Sequence, residues 1–128
     1  MLDMNDEGDG YSCQASMGDE SRKGELLQGT LPLLILRTLD SGPSHGFDIA
    51  RRIQQVSKSV LKVQQGSLYP ALHRMELDGL IESCWNTTEN NRQAKYYKLT
   101  RRGIRRLAAE TERWQAIAAA IAAVLQEA

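Results

Sequence analysis

The chain has 128 residues, 41% of them hydrophobic and 25% charged, which is enough for one domain with a modest core. Aromatic residues make up only 5%, too few for an aromatic-lined cleft, and the longest apolar runs fall far short of the ~20 residues that span a bilayer. The net charge of zero is a cancellation, because residues 1–20 hold six acidic and no basic residues, whereas residues 45–106 hold twelve Lys or Arg against five Asp or Glu.

The two cysteines, Cys13 and Cys84, are not part of a CxxC motif or a Cys/His cluster. Neither His45 nor His73 belongs to a group of metal-ligating residues. We therefore expect free thiols, no metal and no cofactor, in a reducing and hence cytoplasmic compartment. Cys84 falls in a predicted strand, where we expect a buried or half-buried thiol.

Residues 1–21 are rich in Asp, Gly and Ser without hydrophobic periodicity, which predicts an acidic disordered tail. A first buried helix is predicted over roughly residues 26–40, where leucine and isoleucine recur at helical spacing until "SGP" ends the run. Pro32 is expected in or near its first turn, because a proline further in would remove a hydrogen bond.

Two amphipathic helices are predicted next. The apolar face of the second helix, in "HGFDIARRIQQVSK", consists of Phe47, Ile49, Ile53 and Val56. The third helix covers residues 66–79, and its buried stripe consists of Leu68, Leu72 and Met75. Ser67 is expected to cap this helix, which would leave Pro70 in the first turn, and Gly79 is expected to end it.

Two strand-like runs, residues 80–86 and 94–100, flank a polar segment that suits a hairpin loop. Thr100 is then placed to cap a last helix over residues 101–128. This order is that of a winged helix-turn-helix, in which the third helix enters a DNA major groove and the hairpin, called the wing, lies on the adjacent backbone. We therefore predict a mainly α (α+β) fold with a winged helix-turn-helix DNA-binding domain over residues 22–100 and a two-stranded wing.

The side of the third helix opposite its buried stripe is unusual for a solvated surface, because Glu, Lys and Gln are scarce there. It presents Ser67, Tyr69, Pro70, His73, Arg74 and Leu77. Hydroxyl groups and amides at a helix N-terminus can approach phosphates, and Arg74 one turn on can bond to a phosphate or a guanine edge. The alternative is an ordinary surface, with Tyr69 packed on a neighbouring helix.

Basic residues follow this helix in the sequence. Those in or beside the predicted wing are Arg92, Lys95 and Lys98, and those that open the last helix are Arg101, Arg102, Arg105 and Arg106. Arginines at a helix N-terminus oppose the helix dipole, so they need an explanation. Two interpretations stay open, a role with DNA for at least two of the four and pairing with acidic neighbours.

A heptad pattern runs through the last helix from its fourth residue. The residues expected in its seam are Ile104, Leu107, Trp114, Ile117, Ile121 and Leu125. A terminal helix with such a face needs a cover, and we expect the same helix of a second subunit, which makes this a dimerisation helix. The alternative folds the helix back onto its own domain.

Three segments, "HGFDIARRIQ", "VQQGSLYPALHRMELDGLIES" and "NNRQAKYYKLTRRG", resemble the PadR family of bacterial transcriptional regulators, and the resemblance covers about residues 24–126. It implies a winged helix-turn-helix of the short subfamily with a single dimerisation helix, and a function as a repressor of operator DNA. The chain departs from the family at Pro32, where an acidic residue is usual, and at Phe47, where tyrosine is common.

The resemblance also implies roles for individual residues. Those expected against the DNA backbone are Ser67, Tyr69 and Pro70; those expected to face the groove are His73 and Arg74; those expected to serve the wing are Arg92 and Lys95. In multidrug-sensing relatives, a tryptophan at the position of Trp114 stacks on planar ligands at the dimer interface. The resemblance therefore makes Trp114 a candidate site for a planar hydrophobic effector. The alternative is packing in a core, which is more common for a lone tryptophan on a helical stripe.

No enzyme activity is predicted, because Ser67, His73 and Asp78 lie on one short helix and cannot meet around a reacting atom. We expect a homodimer that regulates transcription, as a repressor, at a roughly palindromic operator in double-stranded DNA, with no membrane contact. The rival hypothesis is a dimeric protein-interaction or small-molecule-binding module without DNA binding.

Overall fold

Four helices and three short strands make up residues 29–87 and 89–127, the part of the chain that this computed structural model describes. In chain order they are α1 (29–39), β1 (Ser44–His45), α2 (Gly46–Val56), α3 (Gln65–Leu77), β2 (Ile81–Thr87), β3 (Gln93–Leu99) and α4 (Arg101–Glu127). The predicted mainly α winged helix-turn-helix is confirmed. The predicted tail over residues 1–21 lies outside the described residues, as do residues 26–28 of the predicted first helix. Within the described range, Pro32 is the fourth residue of α1.

The sheet has three antiparallel strands in the order β1-β3-β2. The hairpin of β2 and β3 is the predicted wing, and Trp85 pairs with Lys95 and Ser83 with Tyr97 across it. The third strand was not predicted: β1 has two residues and pairs Ser44 with Tyr97. A strand this short has no sequence periodicity of its own, so only its contact with β3 defines it.

The core lies between the helices and one face of the sheet. Its buried hydrophobic residues are Leu31, Ile35, Leu36, Leu39, Ile49, Ile53, Leu68, Leu72, Met75, Leu80, Ile81, Tyr97 and Leu107. The predicted stripe of α3 is therefore confirmed. Each large side chain in this set contributes about 1.5–3 kcal/mol of burial free energy.

The predicted apolar face of α2 is wrong at two residues. Phe47 is 55% exposed and Val56 is 72% exposed, whereas Gly46, Ile49 and Ile53 are buried. Gly46 and Phe47 are neighbours in sequence and so point about 100° apart around the helix axis. The core packs against the side of α2 that carries Gly46, so Phe47 points away from it. Val56 is the last residue of the helix and lies beyond the part that packs on the core.

Helix α3 begins earlier than predicted. Its N-cap is Gln64, without a side-chain cap, and the first helical hydrogen bond runs from the amide of Leu68 to the carbonyl of Gln64. Ser67 is therefore inside the helix and does not cap it, and Pro70 is its sixth residue, not a first-turn residue. Because proline has no amide hydrogen, the carbonyl four residues before it, that of Gly66, receives no helical hydrogen bond from Pro70.

The predicted end of α3 is confirmed. Gly79 has a φ of +77°, a left-handed conformation that glycine adopts without a Cβ penalty. Its amide donates to the carbonyl of Glu76, and the amide of Leu80 donates to that of Met75. These two bonds satisfy carbonyls in the last turn of the helix and turn the chain into β2.

Thr100 caps α4 as predicted. Its Oγ1 accepts a 3.0 Å hydrogen bond from the amide of Gly103 and donates to the carbonyl oxygens of Gly79 and Leu80. Gly103 lies against Leu80 so closely that a Cβ there would stand 2.1 Å from the carbonyl oxygen of Leu80. The start of α4 is thus held at the C-terminal end of α3.

Beyond this anchor, α4 does not fold back onto the domain. Its buried residues are Gly103 and Leu107, both in its first two turns. The helix has 27 residues, so it is about 40 Å long. Its last 20 residues therefore present their apolar side chains to solvent or to a partner.

Candidate nucleic-acid interface

One side of α3 is exposed along its whole length. Its exposed residues are Gln65, Gly66, Tyr69, Pro70, His73, Arg74 and Leu77. From Gly66 onward they recur at intervals of three and four, so they form a single stripe on the opposite side from Leu68, Leu72 and Met75. Ser67 lies at the edge of the stripe and is half-buried. The structure thus brings together the residues predicted on this helix, all of them exposed except Ser67.

Tyr69 is held by the first residue of α2. A Cβ added to Gly46 would stand 2.8 Å from the phenol oxygen of Tyr69, so the ring lies directly on the backbone of that glycine. The side chain is still 42% exposed. One face of the ring therefore packs on a neighbouring helix, as the alternative interpretation expected, and the rest belongs to the exposed stripe.

The N-terminal end of α3 has no side-chain cap. The side chain of the N-cap residue Gln64 forms no capping hydrogen bond, and the first turn contains no acidic residue. Free amides and the positive end of the helix dipole attract anions. This end of the stripe is suited to an anion such as a phosphate group.

Glu76 ties α3 to the wing. Its Oε1 lies 3.5 Å from Nζ of Lys95 in β3, and its Oε2 accepts a hydrogen bond from the hydroxyl of Ser83 in β2. Nζ of Lys95 also lies 5.7 Å from the ring centre of Tyr97. The structure therefore places Lys95, predicted on the wing, against α3, while Arg92 lies exposed in the turn at the end of the hairpin.

A groove of about 500 Å³ separates α3 from the wing. One wall carries Tyr69, His73 and Glu76, and the opposite wall carries Trp85, Lys95 and Tyr97. Trp85 is 65% exposed. Neither Trp85 nor Glu76 was predicted from the sequence. The alternation of side chains along β2 places Trp85 on the same sheet face as Ser83 and Ile81, and this pattern is the signal that could have identified it.

Tyr97, on the same wall of the groove as Trp85 and Lys95, is 5% exposed. Burial, with smaller contributions from the nearby charge of Glu76 and from Tyr69, raises the pKa of its phenol above the ordinary value. The phenol is therefore neutral at physiological pH. On the other face of the hairpin, Cys84 is exposed, so the expectation of a buried or half-buried thiol is wrong.

The four arginines that open α4 are all exposed. Arg102 lies beside Gly79, with its Cδ 3.9 Å from where a Cβ of that glycine would stand. Within residues 29–87 and 89–127, no ion pair joins any of the four to a carboxylate, so pairing with acidic neighbours does not explain them there. They add positive charge at the C-terminal end of α3.

The predicted seam of α4 divides into two parts. Leu107 is 8% exposed and belongs to the core of the domain. The other predicted seam residues are 41–73% exposed: Ile104, Trp114, Ile117, Ile121 and Leu125. Val124, at 70% exposure, widens this apolar side. Trp114 is the least exposed of these residues and the only tryptophan of the helix.

The described residues contain no group of histidine, cysteine and acidic side chains able to hold a metal ion. Nor is any helix among them both long enough and apolar enough to cross a bilayer.

Three helices, a wing beside the exposed stripe of the third, and a long C-terminal helix define a winged helix-turn-helix protein. The model of the "Transcriptional regulator PadR-like family" matches residues 35–109, and the chain belongs to this family. The protein is therefore a transcriptional regulator, and members of its family bind DNA and are not enzymes. Membership of this family confirms the predicted class of transcriptional regulator and the prediction that the protein is not an enzyme.

Solved structures of relatives share the fold. The chain is 25% identical to a PadR family transcriptional regulator from Eggerthella lenta, covering 89% of this chain and 97% of that one with a TM-score of 0.73. It is 25% identical to a PadR-like transcriptional regulator from Bacillus cereus (80% and 97% covered, TM-score 0.70). It is 28% identical to a PadR family transcription regulator from Clostridium difficile (75% and 98% covered, TM-score 0.66).

Proposed function

We propose that this protein binds a specific operator in double-stranded DNA as a homodimer and represses transcription there, in the cytoplasm. The observation that carries the proposal is the exposed stripe of α3. Gln65 and Gly66 lie at its uncapped N-terminal end, where phosphates bind well. Tyr69 and Pro70 follow one turn on, beside the DNA backbone, and His73 and Arg74 follow a further turn on, within reach of base edges. Backbone contacts orient such a helix, and base contacts give it sequence specificity.

Dimerisation through α4 is part of this proposal. The apolar side that includes Ile117, Ile121 and Leu125 is exposed in the single chain and would be covered by the same helix of a second copy. A two-fold pair presents two α3 helices to successive major grooves about 34 Å apart, which requires a roughly palindromic operator.

A planar hydrophobic effector at Trp114 is the proposed means of control. Trp114 is 41% exposed in the middle of α4, and in a dimer it would lie at or near the two-fold axis. A ligand stacked there would change the separation of the two α4 helices and so the angle between the two DNA-binding heads. Operator affinity would then depend on whether both α3 helices fit the DNA together.

The test is fluorescence anisotropy on a labelled duplex that the protein selects from a randomised pool, compared with a scrambled duplex across a range of salt concentrations. We expect selective binding whose affinity falls steeply with salt. Arg74→Ala should weaken operator binding about 5- to 150-fold and relax the preference at one base pair. Arg113→Ala is the matched control, because Arg113 lies on α4 and pairs with Glu110.

Failure to enrich any sequence, or equal weak binding to both duplexes, would contradict the proposal. A protein-interaction or ligand-binding module without DNA binding would then be the better hypothesis.

A further inference from the structure

Trp85 is an exposed tryptophan on the wing. It lies on β2, on the same sheet face as Ile81, which is buried in the core, and directly across from Lys95. The sheet extends past the core at this point, so the indole reaches the groove beside α3 while 65% of the side chain stays exposed. Tryptophan has a large apolar surface, and in binding surfaces it is typical of residues that a partner covers.

The groove is continuous with the exposed stripe of α3. Tyr69 and His73 belong to both, because they lie on the stripe and also form the wall opposite Trp85. A ligand that lies along the stripe and extends toward the wing would therefore contact Trp85.

The two charges that line the groove cancel each other in the free protein. Both carboxylate oxygens of Glu76 are engaged, one by Ser83 and one by Lys95, so Lys95 balances its negative charge. Lys95 is still partly exposed and can turn from Glu76 toward a phosphate. The indole N–H of Trp85 and the phenol of Tyr69 are further donors on the two walls.

We propose that Trp85 contacts DNA, and that the groove between α3 and the wing takes the sugar-phosphate backbone of the strand beside the major groove. The indole face would pack on deoxyribose, and its N–H and Lys95 would bind a phosphate. This inference rests on the proposed function and adds a residue and a groove to its interface.

The test uses the two tryptophans of the chain as separate reporters. Tryptophan emission comes only from Trp85 in Trp114→Phe and only from Trp114 in the matched control Trp85→Phe. Each protein is titrated with acrylamide, an uncharged quencher, with and without a saturating amount of the selected duplex, whose binding is measured by anisotropy. We expect the quenching constant of Trp85 to fall by about half or more on DNA binding, since interface cores exclude solvent, and that of Trp114 to stay unchanged.

A second pair of variants measures affinity. Trp85→Ala should bind the selected duplex about 5- to 30-fold more weakly, whereas Cys84→Ala, on the opposite sheet face, should bind like the original protein. Thermal unfolding of both variants shows whether the wing is intact.

Three results overturn the inference. If the duplex saturates the protein while Trp85 stays equally open to acrylamide, the groove is not the DNA contact, and the proposed function stands without it. The same holds if a folded Trp85→Ala variant binds with unchanged affinity. If no duplex binds selectively, the proposed function fails, and the inference fails with it.

Discussion

Glu76 of α3 and Lys95 of β3 form an ion pair, 3.5 Å between Oε1 and Nζ, that joins the helix with the exposed stripe to the wing. The pair is partly exposed, so it contributes at most about 1 kcal/mol to stability. Its larger effect is on the charge of the groove, because Lys95 is paired with Glu76 and the carboxylate of Glu76 lies near the proposed path of DNA.

Glu76→Gln should therefore strengthen DNA binding. The amide can still accept the hydrogen bond from Ser83, while the repulsion of phosphate is lost and Lys95 becomes available. The plot of log affinity against log salt should steepen by about 0.9, which corresponds to one more phosphate contact.

The matched control is Glu82→Gln, which breaks the 3.2 Å ion pair with Lys98 on the other face of the hairpin. It changes the net charge equally and should leave the salt dependence nearly unchanged. An equal steepening in both variants would mean that net charge alone, and not the position of Lys95, controls binding.

Gly46→Ala should displace Tyr69. The added methyl group would stand 2.8 Å from the phenol, so the ring must shift, at a cost of about 1–3 kcal/mol in the free energy of unfolding. Operator affinity should fall as well, because Tyr69 leaves its place on the stripe. Urea unfolding and anisotropy measure the two effects separately.

Gly29→Ala serves as the comparison, because no atom lies within 4 Å of an added Cβ at that position. It should not lower stability, since alanine favours a helix over glycine. Full stability and full affinity of Gly46→Ala would show that Tyr69 has room to move without loss.

Tyr97 makes stability depend on pH in the alkaline range. Its phenol has a raised pKa in the folded protein, mainly because of burial. From about pH 10 upward the unfolded chain ionises this group while the folded chain keeps its proton, so the free energy of unfolding falls as pH rises. At neutral pH Tyr97 is protonated in both the folded and the unfolded state, so its ionisation does not contribute to the free energy of unfolding.

Tyr97→Phe should remove that loss. Urea unfolding at about pH 8 and about pH 11 should show a smaller decrease for the variant than for the original protein. An identical decrease in both proteins would show that other groups cause the alkaline sensitivity.

Ile121→Glu should convert the proposed dimer into a monomer, because it places a charge in the apolar side of α4. No residue of α4 beyond Leu107 is buried in the domain, so thermal unfolding of the domain should change little. Operator affinity should fall about 10²- to 10⁴-fold, since the second half-site no longer adds to binding. Light scattering after gel filtration gives the mass.

Ala123→Glu is the control for this variant. Ala123 is exposed and lies about 160° from Ile121 around the helix axis, so a charge there should be tolerated. A dimer that survives Ile121→Glu but not Ala123→Glu would place the interface on the other side of α4.

Local patterns in the sequence determined most of this fold. The stripe of α3, the stop at Gly79 and the cap at Thr100 depend on residues a few positions apart, because helix periodicity, capping and left-handed glycines act over one or two turns. The exposed side of α3 followed directly from the buried stripe, and so did the candidate residues on it.

Only the tertiary structure decided which distant residues meet. It paired Lys95 with Glu76, set Tyr69 on Gly46, buried Leu107 in the domain and left Cys84 in solvent. Each of these depends on how a strand or helix packs against an element elsewhere in the chain. No spacing within a single element encodes such a contact, because periodicity shows which faces differ but not what covers them.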